Sequence, residues 1–225
     1  MASPTPLIVF ARAPVPGKAK TRLIPALGAT GAVRFQEAMI ERTLRTARAA
    51  GLGSVELCCA PDPSHPFFAE CAQRHGVTLT GQVGSNLGMR MLAAFERVVR
   101  SAGPALLVGT DCPALTPDQM REAAMALATG QDAVFAPAED GGYVLVGLAR
   151  VAPSLFEDIA WGGSDVMRTT RLRLSALGWR WRELPELWDV DRPEDLVRLA
   201  REIDEGARLV ENAKREGAPK VAGRR

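Results

Sequence analysis

Short apolar runs alternate with longer amphipathic stretches along most of this chain, and few architectures accommodate that order. Residues 7–11, 55–60, 105–108, 133–136 and 143–147 are β-rich runs bounded by glycine, proline or polar clusters, and they read as strands. Between them lie helical patterns. Phe35, Met39, Ile40, Leu44 and Ala47 recur at helical spacing over 29–50, and Gly51 and Gly53 stop that helix. Further helices are expected over 67–75, 86–101, 164–177 and 193–203. Thr116-Pro117-Asp118 reads as another helix start: a hydroxyl cap, proline at the first helical position and an acid in the first turn. Strands alternating with helices imply a three-layer α/β/α arrangement around a mostly parallel sheet. The expected unit spans 1–203. Residues 204–225 are charge-rich and end in Gly-Arg-Arg, so they read as a partly disordered tail.

Composition removes several function classes. The net charge is 28 − 26 = +2, too mild for a nucleic-acid surface, and no long basic stripe precedes the C-terminal end. The four cysteines show no CxxC spacing, and Cys58 and Cys59 fall inside an apolar run, where buried thiols are expected. No apolar run approaches the roughly 18 residues a membrane helix needs, and the N-terminus lacks a signal-peptide pattern. A soluble, cytoplasmic protein without nucleic-acid or membrane partners is the expectation.

Five stretches carry chemistry. Arg12-Ala-Pro-Val-Pro-Gly-Lys-Ala-Lys-Thr-Arg22 follows the first strand, where open α/β sheets bind ligands. Lys18, Lys20 and Arg22 set three cations beside Gly17, which suits a di- or triphosphate as well as it suits a solvated basic loop. The spacing is neither a Walker loop nor GxGxxG. Gly109-Thr-Asp-Cys-Pro113 puts Asp111 at the tip of the 105–108 strand, where it could hold Mg²⁺ against phosphates or close a turn. In Leu187-Trp-Asp-Val-Asp-Arg-Pro-Glu-Asp-Leu196, Asp189 and Asp191 alternate and point the same way if the segment is extended. Either could supply a metal carboxylate, but by local pattern the better reading of Asp191 is a cap on the helix that Pro193 begins, with Glu194 closing a capping box. Ala138-Glu-Asp-Gly-Gly-Tyr143 reads as a tight hairpin turn whose glycines would also let backbone approach a ligand. Gly81-Gln-Val-Gly-Ser-Asn-Leu-Gly-Met-Arg90 is a glycine-spaced loop whose amides could meet a base or phosphate.

In order, these stretches and Trp161-Gly-Gly-Ser164 resemble the transferases found beside radical-SAM and selenium-related genes (rSAM/selenodomain-associated transferases), which are often labelled glycosyltransferases of arsenosugar biosynthesis. That family is similar to 2-phospholactate guanylyltransferase and has the nucleotide-diphospho-sugar transferase (GT-A-like) fold. The likeness spans residues 10–196. It implies that Arg12, Gly17, Lys18, Lys20 and Arg22 grip phosphates, and that Asn86, Leu87 and Gly88 lie near the nucleoside. It further implies that Asp111 and Asp191 hold Mg²⁺ or Mn²⁺, with Lys18, Lys20, Arg22 and Asp111 catalytic. Asp140, Gly141, Gly142, Tyr143, Trp161 and Ser164 would line the acceptor side. Two positions depart from the family, Gly163 and Arg192, where threonine is commoner. Asp111 also stands outside an Asp-x-Asp pair.

Two reactions share such a site. A nucleotidyltransferase would take a nucleoside triphosphate and a small phosphorylated acceptor and release pyrophosphate; a glycosyltransferase would take a nucleotide sugar and a small-molecule acceptor. Three cations beside a metal suit leaving pyrophosphate better, so nucleotidyl transfer is the preferred expectation. A non-catalytic nucleotide-binding module ranks behind both, because the site residues are all retained.

Overall fold

A computed structural model of the chain describes residues 4–217. β1 (Leu7–Arg12) is followed by α1 (Ile24–Ala50), β2 (Val55–Ala60), α2 (Pro66–His75), β3 (Thr78–Gly81), α3 (Leu87–Ala102) and β4 (Ala105–Val108). Then come α4 (Pro117–Ala128), β5 (Ala133–Pro137), β6 (Tyr143–Leu148), α5 (Val166–Ala176), β7 (Trp181–Glu183), α6 (Pro193–Glu202) and α7 (Gly206–Gly217). The strands form one seven-stranded sheet in the order β3-β2-β1-β4-β6-β5-β7. β1 runs parallel to β2 and β4, β2 to β3, and β5 to β7; β6 runs antiparallel to β4 and β5. The reversal follows from the β5–β6 connection. Ala138 N–H donates to the Gly142 carbonyl at 3.0 Å and closes a hairpin, a link too short for a parallel crossover.

Strand alternation assigns the two faces. Leu7, Val9 and Ala11 of β1 join Ile40, Leu44 and Ala47 of α1, with Phe68 of α2 and Met120 of α4, in one core. Ile8 and Phe10 point the other way, toward Met91 and Phe95 of α3 and Met167 and Leu174 of α5. A third cluster packs Phe35 and Met39 of α1 against Leu196 and Leu199 of α6 and Val210 of α7. The layers are therefore α/β/α, as the alternation predicts.

Residues expected to form a charged tail behave differently over 206–217. α7 lays Val210 and Ala213 on α1, and Gly31 of α1 permits this because a Cβ there would sit 2.5 Å from the Ala213 carbonyl. A two-sided helix hides in charge-rich sequence, since its apolar face needs few residues. Residues 218–225, the rest of that stretch, lie outside the described residues. The predicted α4 start is present: Thr116 Oγ1 accepts from Gln119 N–H at 3.2 Å, and Gln119 Oε1 accepts from Thr116 N–H at 2.9 Å.

Candidate active site

β1 and β4 are adjacent and parallel, so the loops leaving their carboxyl ends meet. The reversed β6 starts at that same edge and brings Tyr143 there. Two clefts open side by side. The larger, of about 750 Å³, takes Arg12, Lys18, Lys20 and Arg22 from the first loop and Asp111 and Asp191 from the later ones. The smaller, of about 210 Å³, is walled by Phe10, Met91, Tyr143 and Trp161 and carries Asp140 and Asp189. Phe10, Leu87 and Gly109 line both.

Lys20 ties the loops together. Its side chain is 4% exposed, it pairs with Asp111 at 2.8 Å, and it donates to the Val190 carbonyl at 2.5 Å. Val190 N–H in turn donates to the Asp111 carbonyl at 2.9 Å, so the 109–113 and 187–192 segments are stitched by backbone as well. Lys20 sits at φ 44°, a left-handed conformation that a non-glycine residue adopts at some cost. Arg22 pairs with Asp191; Arg22 is largely exposed and Asp191 about half. Lys18 and Arg12 are exposed and free to meet a ligand. Gln82 and Arg90 also line the larger cleft, and sequence reading did not single them out. Gln82 donates to the Ala11 and Cys58 carbonyls, which braces the ends of β1 and β2.

Several expected residues have other local duties. Asn86 caps α3, its Oδ1 accepting from Met89 N–H at 2.9 Å, and it lines the larger cleft as well. Gly88 lines neither cleft: a Cβ there would lie 2.5 Å from the Phe156 carbonyl and 2.5 Å from Trp161 Nε1, so glycine lets the indole lie on α3. Gly17 adopts φ 75° in the turn ahead of Lys18 and does not line the larger cleft. Gly141, at φ 90°, packs against the Ser164 carbonyl so closely that no side chain fits, which joins the hairpin turn to the 161–164 loop. Asp140 Oδ1 accepts from Gly142 N–H at 2.9 Å, shaping the turn. Ser164 serves through that backbone contact and does not line the smaller cleft.

The reading of Asp191 as a helix cap is corrected. The cap position of α6 is one residue later, at Arg192, and Asp195 in the first turn accepts back from Asp191 N–H at 2.9 Å and Arg192 N–H at 2.7 Å, which leaves the Asp191 carboxylate for Arg22. Val190 is anchored on Asp111; of its two neighbours, Asp191 lines the larger cleft and Asp189 the smaller, and Asp189 still lies near enough to Asp111 and Asp191 to feel their charge. Asp189 carries the largest carboxylate shift: burial first, then the charges of Asp111 and Asp140, raise it to about 7, while Lys20 pulls the other way.

The donor set fits a hard divalent cation that shares its shell with phosphate. Asp111 and Asp191 are about half exposed and line one cleft. Mg²⁺ takes only one or two protein carboxylates in such sites. Among the described residues no three His, Cys, Asp or Glu side chains gather into a cage, so an ion here would need ligand oxygens as well. Tyr143 is held protonated by burial, and Cys112 is pushed up to about 12, first by burial and then by Asp189. Neither offers a ready anion.

Residues 43–163 match a protein family described as "Uncharacterized protein conserved in bacteria (DUF2064)". No curated protein matches the chain. Among solved structures, a candidate nucleotide-diphospho-sugar transferase of Desulfovibrio desulfuricans G20 is 25% identical, with a TM-score of 0.82 over 96% of this chain and 98% of that one. CMP:2-keto-3-deoxy-manno-octonic acid synthetase, solved with CTP, is 14% identical with a TM-score of 0.55, covering 93% of this chain and 100% of that one. Glucosyl-3-phosphoglycerate synthase of Mycobacterium tuberculosis, solved with Mn²⁺, UDP and glucosyl-3-phosphoglycerate, is 12% identical with a TM-score of 0.53, covering 97% and 82%. The last two share the fold. No helix among the described residues is long and apolar enough to cross a membrane.

Proposed function

We propose that this chain, which belongs to the DUF2064 family, is a divalent-metal-dependent transferase acting on a nucleotide-activated donor, with nucleotidyl transfer as the first reading. The carrying observation is the larger cleft, where five cations, Arg90 among them, and two half-exposed carboxylates converge at the carboxyl ends of β1 and β4. A triphosphate needs fixed positive charge along its length, and Arg12, Lys18 and Arg22 can supply it from one loop. Mn²⁺ in a structure of this fold supports the metal, and CTP and UDP in structures of the fold support a nucleotide.

Two ion pairs must respond to the ligand, and their worth decides which one moves. Arg22–Asp191 is exposed, and such pairs contribute about 0.2–1 kcal/mol, so Arg22 can leave Asp191 for a phosphate at little cost. Lys20 is nearly sealed and bonded to two partners, so it stays and keeps Asp111 oriented. Asp111 and Asp191 would hold the metal, which when bound supplies charge neutralisation to the leaving phosphates. The acceptor oxygen attacks the α-phosphorus, the bond to the bridging oxygen breaks, pyrophosphate departs toward Lys18 and Arg22, and a hydroxyl acceptor gives up its proton to solvent. Alignment at Gly109, which both clefts share, supplies the proximity that such transfers depend on.

Glycosyl transfer is the second reading, and the likeness to the Desulfovibrio protein favours it. There the acceptor attacks the anomeric carbon and a nucleoside diphosphate leaves into the same basic cleft. The likenesses to arsenosugar glycosyltransferases and to 2-phospholactate guanylyltransferase correspond to these two readings. Incubation with Mg²⁺ or Mn²⁺, each nucleoside triphosphate or nucleotide sugar, and an acceptor panel separates them: pyrophosphate release supports the first, nucleoside diphosphate release the second. Asp111→Ala should lower either turnover by at least about 10²-fold with the fold intact. Near-normal metal-dependent turnover in that variant would remove Asp111 from the assignment.

A further inference from the structure

We propose that the smaller cleft takes the second substrate as a phosphate-free, hydroxyl-bearing molecule with an apolar face, neutral or cationic overall. This rests on the transferase reading above and revises the phosphorylated acceptor expected from sequence. The two clefts are sorted by charge. Among the described residues no lysine or arginine lines the smaller one, and its charged groups are the carboxylates of Asp140 and Asp189. A phosphate entering there would meet two carboxyl groups and no lining cation, whereas Lys18 and Arg22 line the neighbouring cleft. Phosphates belong to the larger cleft.

The walls name the class. Phe10, Met91, Tyr143 and Trp161 present apolar and aromatic surface, and Tyr143 meets Trp161 edge to face with ring centroids 6.3 Å apart. Aromatic faces pack on the C–H surface of a ring or short chain, while carboxylates accept hydrogen bonds from hydroxyl or ammonium groups. About 210 Å³, roughly the volume of seven liquid waters, admits a small polyol or one sugar ring and little more. Gly109, on the shared wall, sets such a molecule beside whatever the basic cleft holds.

A charge probe tests the cleft without any assumption about nucleotide. Cys58, Cys59, Cys71 and Cys112 are all buried, so one introduced thiol dominates reaction with methanethiosulfonates. Gly163 lines the smaller cleft, is exposed, and has an unstrained backbone angle, so Gly163→Cys is the reporter. Relative to 2-mercaptoethanol, it should favour the aminoethyl over the sulfonatoethyl reagent about tenfold, the ratio that roughly one kT of negative potential imposes on opposite charges. Adding Asp140→Asn should reduce that preference, and Thr21→Cys in the basic cleft should reverse it. Equal rates, or faster reaction with the anionic reagent at Gly163→Cys, overturn the proposal.

Ligand pairs test the class. With Mg²⁺ and a non-hydrolysable nucleotide, saturation-transfer NMR compares glycerol with glycerol 3-phosphate and methyl glucoside with glucose 6-phosphate. The phosphate-free members should give signal that Trp161→Ala abolishes. Stronger, Trp161-dependent signal from the phosphorylated members, or silence of both phosphate-free ones, contradicts it. If nucleotide itself fails to bind, the transferase reading falls, while the thiol measurement still decides the charge of the cleft.

Discussion

Gly88→Ala separates two accounts of one residue. Sequence likeness puts Gly88 beside the nucleoside; the structure puts it under Trp161. Alanine in the first turn of α3 would gain up to about 1 kcal/mol of helix propensity over glycine. Against this, the new Cβ would stand 2.5 Å from the Phe156 carbonyl, 2.5 Å from Trp161 Nε1 and 2.7 Å from its Cζ2. The carbonyl is backbone and the indole is a rigid ring that can move only as a whole, so relieving the overlap has a cost. Overpacking of this kind costs about 1–3 kcal/mol, and the overlap outweighs the propensity gain. The variant should lose a net 0.5–2 kcal/mol or so in urea unfolding. Trp161 should be pushed into the smaller cleft, raising the KM for acceptor several-fold while nucleotide affinity changes by less than about twofold. Unchanged stability, or a loss of nucleotide affinity with acceptor KM intact, would refute the packing argument.

Three further outcomes follow from the charges. In chelator, Asp189→Asn should stabilise the protein above pH 7. The folded carboxyl titrates near 7 against 3.8 unfolded, about 3 units or 4 kcal/mol at most, and about half that allowing for its partial exposure. Because the folded value is the raised one, wild type loses this stability as pH climbs from about 4 through 7, and the Asn variant should not. A parallel pH dependence in the two proteins would contradict the assignment. Glu205 points the other way: burial raises it, but Arg42 and Arg45 more than offset this and hold it below the usual carboxylate range. Wild type should therefore lose stability as pH falls below about 4, and Glu205→Gln should show a flatter acid limb in thermal melts. Arg42→Met should cost about 2–3 kcal/mol, because the Pro113 carbonyl that accepts two of its N–H groups, at 3.2 and 2.8 Å, loses its partner beside the Asp111 loop. A melt within error of wild type would show that loop to be held otherwise.

Patterns carried by single segments were legible in the sequence. The five apolar runs became β1, β2, β4, β5 and β6, and the Thr116 cap, the 138–143 turn and the basic loop lie where local chemistry puts them. What escaped depends on partners distant in the chain. β3 is only four residues long, and α7 has a two-sided helical pattern that its five charged residues in twelve disguise as a solvated tail; each is stabilised by a neighbour, β2 or α1. That Asp189 and Asp191 line separate clefts is not legible in the string, because the Val190–Asp111 backbone bond that anchors their segment joins distant parts of the chain. Gly88 looked like a ligand contact because a glycine at a helix start suits both a phosphate and a tryptophan, and only packing tells them apart. Asn86 carried its own signal, a helix cap, which the family likeness overshadowed.

Calorimetric titration with the four nucleoside triphosphates, with and without Mg²⁺, tests the central claim most directly. The account predicts that at least one triphosphate binds in Mg²⁺, that chelator or Asp111→Ala weakens it at least about tenfold, and that Lys18→Ala weakens it as well. Binding that is indifferent to metal and to both substitutions, or no binding by any triphosphate or nucleotide sugar, would contradict it.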